Sequence, residues 1–265
     1  IVLDHHQSSI KLPNAYSIIN PNRLDDKSNL QYLCAAGVTF MFLVSLNREL
    51  RLCEWFKDNN IKEPNLIDYL DLVSLGTVCD VVPLIGLNRA MVKQGLKILK
   101  YKKNLGLKTL LDVCKISTSP STYQLGFILG PRINAGGRVG KCSHGANLLI
   151  EKNPKDVFKI ATELEQYNKE RQMLERDLLN KILENNKNFF NDPVLILHGS
   201  NWHEGVIGIV ASRLKEKFNK PVILISVKGI IGKASARSVV GFDIGSMIIA
   251  ATQSKILLKD TQGYA

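Results

Sequence analysis

The sequence predicts an α/β protein, built as two α/β domains joined by a long helix. Three observations predict this class. A short apolar strand, Ile1–Leu3, opens the chain and runs directly into polar residues. A single helical pattern extends from Asn153 to about Asn188. After it, apolar strands alternate with helical segments, as in a smaller α/β domain. A chain of 265 residues is long enough to bury two modest cores.

The first domain, residues 1–152, is predicted to be mainly helical after its opening strand. Turn-forming residues at Pro13 and Asn20-Pro21-Asn22 mark a loop. Helical apolar periodicity then occurs in Cys34–Lys57, Leu66–Leu75, Arg89–Leu99, Leu107–Val113 and Tyr123–Leu129. The glycine-rich stretch Gly130–Gly140 is predicted to be a loop, and another helix begins near Ser143.

The connecting helix, residues 153–190, begins with strong start signals. Asn153 suits an N-cap, Pro154 suits the first helical position, and Asp156 complements the positive end of the helix dipole. One apolar stripe with charged residues between its members continues to about Asn188, which gives a helix of about 50 Å. A helix this long and charged is more typical of a connection between two bodies than of a single core.

The second domain, residues 191–265, shows the alternation of a small α/β fold. Strands are predicted at Pro193–Leu197, Pro221–Ser226 and Ile230–Ser238, and helices at Val206–Phe218 and Ile244–Ile256.

The composition restricts the environment and the partners. Lys and Arg number 35 against 24 Asp and Glu, a formal charge of +11. This surplus favours a polyanion such as nucleic acid, although a generally basic proteome explains it equally well. No apolar run approaches the roughly 20 residues needed to cross a bilayer. The chain opens inside an apolar run, so we expect its native N-terminus to lie upstream.

Five single cysteines favour a reducing cytoplasm and argue against a zinc knuckle. We expect Cys34, Cys53, Cys79, Cys114 and Cys142 to fill the core.

Two groups of residues point to metal chemistry. Asp4-His5-His6 stands at the carboxyl end of a strand, where α/β folds place ligand sites. Imidazole and carboxylate together suit Mn²⁺ and similar ions, although a satisfied polar cluster is the simpler interpretation. Asp80 is acidic within an otherwise apolar segment, Leu75–Leu84. A buried carboxylate needs a partner or a metal, which we favour over a helix cap.

These motifs resemble the DHH phosphoesterase superfamily, specifically its RecJ exonuclease branch. The strand ending in Asp4-His5-His6 and the segment Leu75-Gly76-Thr77-Val78-Cys79-Asp80-Val81-Val82-Pro83-Leu84 are similar to two family motifs. Further similar stretches follow in the same order, at Gly130–Arg138, Trp202–Ala211 and Gly232–Asp243. The long helix matches the connection between the family's DHH and DHHA1-type domains.

The resemblance implies roles for particular residues. His5 and Asp80 would be ligands of a two-metal Mn²⁺ or Mg²⁺ site, His6 would face the scissile phosphate, and Asp4 would orient the histidines. The remaining implied contacts are to DNA phosphates, from Arg132, Asn134, Arg138, Ser235 and Arg237.

Trp202 and His203 allow two interpretations: contact with DNA, or capping and packing of the helix that follows.

The implied reaction is hydrolysis of single-stranded DNA from its 5′ end by a metal-dependent exonuclease acting in repair and recombination. A narrow channel between the domains would admit one strand. The family has Asp-rich metal motifs upstream of Asp-His-His and a Gly-Gly-His motif after the last helix. Neither occurs in this sequence, whose final residues are Lys259–Ala265. We therefore expect the metal site to be incomplete and the chain to be shortened at both ends.

Two alternatives are open at this stage. One is a DHH-type oligonucleotidase or phosphatase that acts on very short nucleotides. The other is a catalytically inactive protein that binds single strands through its arginines. A single-strand binding protein or a helicase is a possible partner, and the protein is expected in the cytoplasm without a membrane association.

Overall fold

The computed structural model describes residues 1–101, 103–185 and 192–254. They form two compact units: residues 1–134 with 143–165, and residues 135–142 with the chain from residue 166 onward. The unit boundaries fall within two helices, each of which contributes residues to both units. Helices and small sheets occur in both units, as the predicted α/β class requires.

The first unit begins with a parallel pair of short strands and continues as helices. The strands are β1 (Val2–Leu3) and β2 (Ile18–Ile19). A 3₁₀ turn, Leu66–Tyr69, precedes the third helix, and a π-helix, Gln124–Leu129, precedes the sixth. The helices are α1 (Ala35–Leu52), α2 (Trp55–Asp58), α3 (Leu70–Cys79), α4 (Gly86–Leu99), α5 (Leu105–Val113), α6 (Gly130–Val139), α7 (His144–Ile150) and α8 (Pro154–Asn185).

The predicted helix over Cys34–Lys57 is divided into α1 and α2. Glu54 lies between them in the left-handed region, with φ at +55°. A left-handed residue turns the chain away from the helix axis and ends the α-helical hydrogen-bond ladder. The Cys34 thiol caps the start of α1 by accepting a bond from the Gly37 N–H.

The predicted loop over Gly130–Gly140 is wrong, because Gly130–Val139 forms helix α6. The π-helix leads into α6 without a break, so the low helix propensity of glycine does not prevent its continuation. Gly130 is required by packing, since a Cβ atom there would lie 2.5 Å from the Cys79 Sγ. Tertiary contact therefore decides the conformation of this stretch.

The core of the first unit joins α1, α3 and α4. One buried cluster contains Leu33, Val38, Leu70, Val73 and Met91. Cys34 is buried, but Cys53 and Cys142 are exposed, so the prediction of core cysteines is wrong for those two. All five cysteines are free thiols.

The second unit is built on a three-stranded sheet. Strands β3 (Leu195–Ser200) and β4 (Val222–Lys228) are parallel and are joined by α9 (Glu204–Phe218). Strand β5 (Ile231–Arg237) is antiparallel to β4, and α10 (Ile244–Gln253) follows. One core cluster combines α8, α9 and the inward faces of β3 and β4, with members Leu178, Ile182, Leu195, Leu197, Val206, Ile207, Val210, Ala211, Leu214, Val222 and Leu224.

The long helix α8 begins where the sequence predicts. The Asn153 side chain accepts a bond from the Lys155 N–H at 3.0 Å, as an N-cap does. Its 32 residues give a length of about 48 Å. Three predicted features lie outside the described residues. They are the end of the long helix near Asn188, the end of the last helix at Ile256, and the final segment Lys259–Ala265. None of the described helices is long and apolar enough to span a bilayer.

Candidate metal and nucleic-acid sites

The triplet Asp4-His5-His6 forms a tight turn at the carboxyl end of β1. The Asp4 N–H donates to the Ile19 carbonyl at 3.0 Å, which continues the pairing with β2. The Asp4 carboxylate then accepts the N–H groups of His5 at 2.8 Å and His6 at 3.3 Å. These bonds hold the two imidazoles at the end of the strand, as the sequence predicts.

Asp4 also bonds the ring of His6, with 2.7 Å between Oδ1 and Nδ1. Partial burial raises the pKa of the Asp4 carboxyl, but the bonds from His6 and the two backbone N–H groups outweigh it and lower that pKa. A carboxylate only accepts hydrogen bonds, so the shared proton belongs to His6 Nδ1. Asp4 therefore orients the His6 ring.

His5 lies against Asp80, with 3.3 Å between Nε2 and a carboxylate oxygen. Asp80 stands at the carboxyl end of α3, and its side chain is 40% exposed, so its predicted burial is wrong. The reason is local: α3 ends at Cys79, and Val81 adopts a left-handed φ of +57° that turns the chain outward.

The His5–Asp80 pair fits two positions around one divalent ion. Neighbouring ligands of an octahedral ion at about 2.1 Å are about 3 Å apart, close to the observed separation. Nitrogen and oxygen donors of this kind suit Mn²⁺. Within residues 1–101, 103–185 and 192–254, however, no group of three or more His, Cys, Asp or Glu side chains has a metal-binding arrangement. The structure therefore brings the two predicted donors together, and their role as metal ligands remains a prediction.

Arg132 and Asn134 lie on helix α6 and not in a loop. The Arg132 Nε is 2.5 Å from Glu165 Oε2, and its Nη1 donates to the Ile128 carbonyl at 2.9 Å. These internal bonds fix the half-buried guanidinium. Asn134 is exposed. Phosphate binding by either residue remains a prediction.

Arg138 contributes to a concentration of positive charge in the second unit. Its Nη1 donates to the Gly205 carbonyl at 3.1 Å. Burial lowers the pKa of Arg138, and the charges of Arg171 and Arg237 lower it further. Guanidinium groups this close together repel one another, and an anion such as phosphate would relieve that repulsion.

Ser235 and Arg237 project from β5 toward α9. Arg237 Nε donates to the Ser212 hydroxyl at 3.0 Å, and its Nη1 donates to the Ala236 carbonyl at 2.7 Å and lies 3.4 Å from the Ser235 hydroxyl. Gly208 permits this approach, since a Cβ atom there would lie 2.9 Å from Ser235 Oγ. The predicted phosphate-binding pair is therefore assembled on one surface of the second unit.

His203 caps helix α9, and Trp202 packs against the core. The His203 Nδ1 accepts the Gly205 N–H at 3.1 Å. A Cβ atom on Gly199 would lie 2.2 Å from the Trp202 ring, which lies against the apolar cluster of the second unit. Capping and packing are thus observed, while contact of His203 with DNA remains a prediction.

Sequence reasoning did not single out two polar networks. Asn20 and Asn22 donate to the His6 and His5 carbonyls, and the buried Glu175 binds Arg171 and Arg213. A sequence signal was available for each network. For the first it was the Asn-Pro-Asn cluster directly after an apolar pair, and for the second it was the i, i+4 spacing of Arg171 and Glu175.

Comparisons with known proteins agree with the predicted resemblance. Residues 191–255 match the DHHA1 domain model. The single-stranded-DNA-specific exonuclease RecJ of Escherichia coli K12 is 39% identical over 250 residues, covering 91% of this chain and 43% of the relative. RecJ of Dickeya dadantii is 38% identical over 253 residues, covering 92% and 44%. The chain thus spans less than half the length of these relatives.

Two solved structures have the same fold. RecJ of Thermus thermophilus in complex with Mn²⁺ gives a TM-score of 0.78 at 29% identity, covering 98% of this chain and 36% of that one. An exonuclease RecJ bound to manganese gives a TM-score of 0.74 at 29% identity, covering 95% and 60%.

Proposed function

This chain is homologous to the RecJ-type exonucleases, and on that premise we propose that it provides most of the catalytic body of a metal-dependent exonuclease. The substrate is single-stranded DNA, degraded from its 5′ end. The observation that carries the proposal is the approach of His5 to Asp80 at 3.3 Å. Two motifs that are distant in the sequence thereby place a nitrogen donor and an oxygen donor around one possible metal position.

A Mn²⁺ or Mg²⁺ ion held at this position would supply a Lewis acid for activating water and neutralising charge on the phosphate. His5 and Asp80 would be two of the ligands of that ion. His6, whose ring is held by its hydrogen bond to Asp4, would donate a proton to the departing oxygen. Asp4 therefore acts through His6.

Phosphate contacts are proposed within each unit separately. Arg138, Ser235 and Arg237 belong to the second unit, and there we assign them to the 5′-terminal and adjacent phosphates. Arg132 and Asn134 lie in the first unit, where we assign them to backbone phosphates, and His203 provides a further contact. The net charge of +11 strengthens binding of any such strand.

We assign residues 1–152 to a DHH catalytic domain, 153–190 to the connecting helix and 191–265 to a DHHA1-type substrate-binding domain. A cytoplasmic location follows from the predicted reducing environment of the single cysteines. A single-strand binding protein or a helicase would supply the substrate.

A second candidate is a protein that binds single strands without cutting them. The observation in its favour is that the described residues contain no group of three or more His, Cys, Asp or Glu side chains in a metal-binding arrangement. This candidate retains the arginines of the second unit, so it predicts salt-sensitive binding.

Digestion of a 5′-phosphorylated, 3′-labelled single strand by the purified chain separates the candidates. Exonuclease activity predicts Mn²⁺-dependent shortening from the 5′ end that disappears in His5→Ala. Binding without shortening in the parent chain supports the second candidate. Absence of both binding and shortening contradicts both.

A further inference from the structure

We infer that Asn20 and Asn22 are positioning residues that fix the directions of the His5 and His6 imidazoles. The inference rests on the proposed function, because it assigns the two asparagines to the same metal and phosphate site. Neither residue belongs to the metal ligands or to the predicted phosphate contacts.

The side-chain amides of both asparagines donate to the backbone of the triplet. Asn22 Nδ2 lies 2.6 Å from the His5 carbonyl oxygen, and Asn20 Nδ2 lies 2.9 Å from that of His6. Each amide therefore holds the peptide group that contains the carbonyl of one histidine.

The two asparagines are themselves fixed. Asn20 is buried, with 5% of its surface exposed, and its Oδ1 accepts the Asn22 N–H at 2.8 Å. The Asn22 amide also donates to the Gln31 carbonyl at 3.3 Å, just before α1. Pro21 between them is buried and restricts its own φ. The pair is thus a rigid support and not a mobile loop.

The support completes the hydrogen bonding of the turn. The N–H groups of His5 and His6 donate to the Asp4 carboxylate, and the asparagines occupy the two carbonyls. With every polar backbone group of these two residues bonded, rotation of either peptide breaks at least one bond. The Cα–Cβ directions of both histidines are thereby set before any ligand binds.

This arrangement has a consequence for metal affinity. A ligand held in its binding direction loses less conformational freedom on binding than a mobile one. Removal of partners that orient metal ligands typically weakens metal binding by about 10- to 100-fold. We expect Asn22→Ala and Asn20→Ala to weaken Mn²⁺ binding to this extent, and digestion by both to recover at saturating Mn²⁺.

The test measures Mn²⁺ binding directly, from the electron paramagnetic resonance signal of free Mn²⁺, beside the Mn²⁺ dependence of digestion. The matched control is Asn104→Ala. Asn104 also donates to a distant carbonyl, that of Leu149 at 3.0 Å, and it caps α5. Its removal is expected to lower stability and leave Mn²⁺ binding unchanged. His5→Ala serves as the reference for the loss of Mn²⁺ binding that follows removal of a proposed metal ligand.

The outcomes separate this inference from the proposed function. Weaker Mn²⁺ binding in folded Asn22→Ala or Asn20→Ala, with Asn104→Ala unchanged, supports the inference. If both variants bind Mn²⁺ like the control while His5→Ala does not, the inference is wrong and the proposed function stands. Unfolding of both variants also overturns it, because their role is then general to the fold. No effect of His5→Ala on Mn²⁺ binding contradicts the proposed function itself.

Discussion

His5 Nε2 lies 3.3 Å from a carboxylate oxygen of Asp80, although the first residue follows the opening strand and the second ends helix α3. The carboxyl end of β1 and the carboxyl end of α3 are therefore at the same place in the first unit. Both side chains are at least partly accessible to solvent. A cation arriving from solution can reach both donors without a rearrangement of the core.

The first prediction concerns this pair. His5→Ala and Asp80→Asn should each lower Mn²⁺-dependent digestion of single-stranded DNA by at least about 100-fold. A bound metal supplies several kcal/mol of transition-state stabilisation, and about 1.4 kcal/mol is a factor of ten. The matched controls are His198→Ala on β3 and Asp68→Asn, whose side chain pairs with Lys103. Equal losses in the controls would contradict the assignment, and removal of metal with EDTA should abolish the activity.

The second prediction concerns Glu175, a buried carboxylate that binds Arg171 at 2.7 Å and also Arg213. Replacement by Gln should lower the unfolding free energy of the second unit by about 3 to 5 kcal/mol, because the arginines lose their buried counter-charge. Hydrogen exchange of α8 and α9 amides measures this locally. Glu204→Gln breaks only an exposed pair with Lys233 and should have little effect. A similarly small effect of Glu175→Gln would show that the network does not stabilise the unit.

The third prediction concerns thiol reactivity. Burial raises the pKa of Cys79 to about 11, with added repulsion from the charge of Asp80 and from Cys34. The thiolate is the reactive form, so Cys79 should react slowly with iodoacetamide between pH 7 and about 9. Its reaction should accelerate only as the pH approaches the pKa of about 11. The exposed Cys53 and Cys142 should react first, which mass spectrometry can resolve. Early modification of Cys79 in the folded protein would contradict the packing around α3.

The fourth prediction concerns the pH dependence of stability. Burial raises the pKa of the Asp71 carboxyl, and the bond from the Leu72 N–H offsets this only partly. The pKa of Asp71 in the folded state lies above its unfolded value of about 3.9. The free energy of unfolding therefore falls as the pH rises from the unfolded pKa to the folded pKa, and the loss is complete above the folded pKa. Asp71→Asn should therefore stabilise the protein at pH 7 and give a much smaller difference at pH 3.

The measurement for Asp71 is urea unfolding of both proteins across this pH range. Asp58→Asn, at an exposed position on α2, serves as the control. A stability difference that is constant with pH would show that the carboxyl is not perturbed.

The fifth prediction concerns Val81, which has a φ of +57° and is 86% exposed. A β-branched residue in the left-handed region is strained by about 1 to 2 kcal/mol, and little apolar burial offsets it. Val81→Gly should leave stability unchanged or raise it by up to about 1 kcal/mol, since glycine accepts this conformation. Val44→Gly in helix α1 should instead destabilise by about 1 kcal/mol. Thermal unfolding compares the two, and equal losses would argue against strain at Val81.

Several element positions followed closely from local patterns. The start of α8 at Pro154 was predictable because Asn153, Pro154 and Asp156 act within one helical turn. Strands β3 and β4 and helix α9 were predictable because their apolar residues repeat with the period of the buried face. The division of the first long helix at Glu54 was not, since a single left-handed residue leaves the apolar pattern unchanged.

By itself, the sequence determined the α/β class, the long helix, the resemblance to RecJ and the chemical types at the proposed metal and phosphate positions. These depend on the order and spacing of residues along the chain. Only the tertiary structure decided that Gly130–Val139 is helical, that Asp80 is exposed beside His5, that Glu165 holds Arg132, and that Asn20 and Asn22 support the two histidines. Each of these depends on contacts between segments that are distant in the sequence. The packing energy of those contacts outweighs the local conformational preference of a glycine, an arginine or an asparagine.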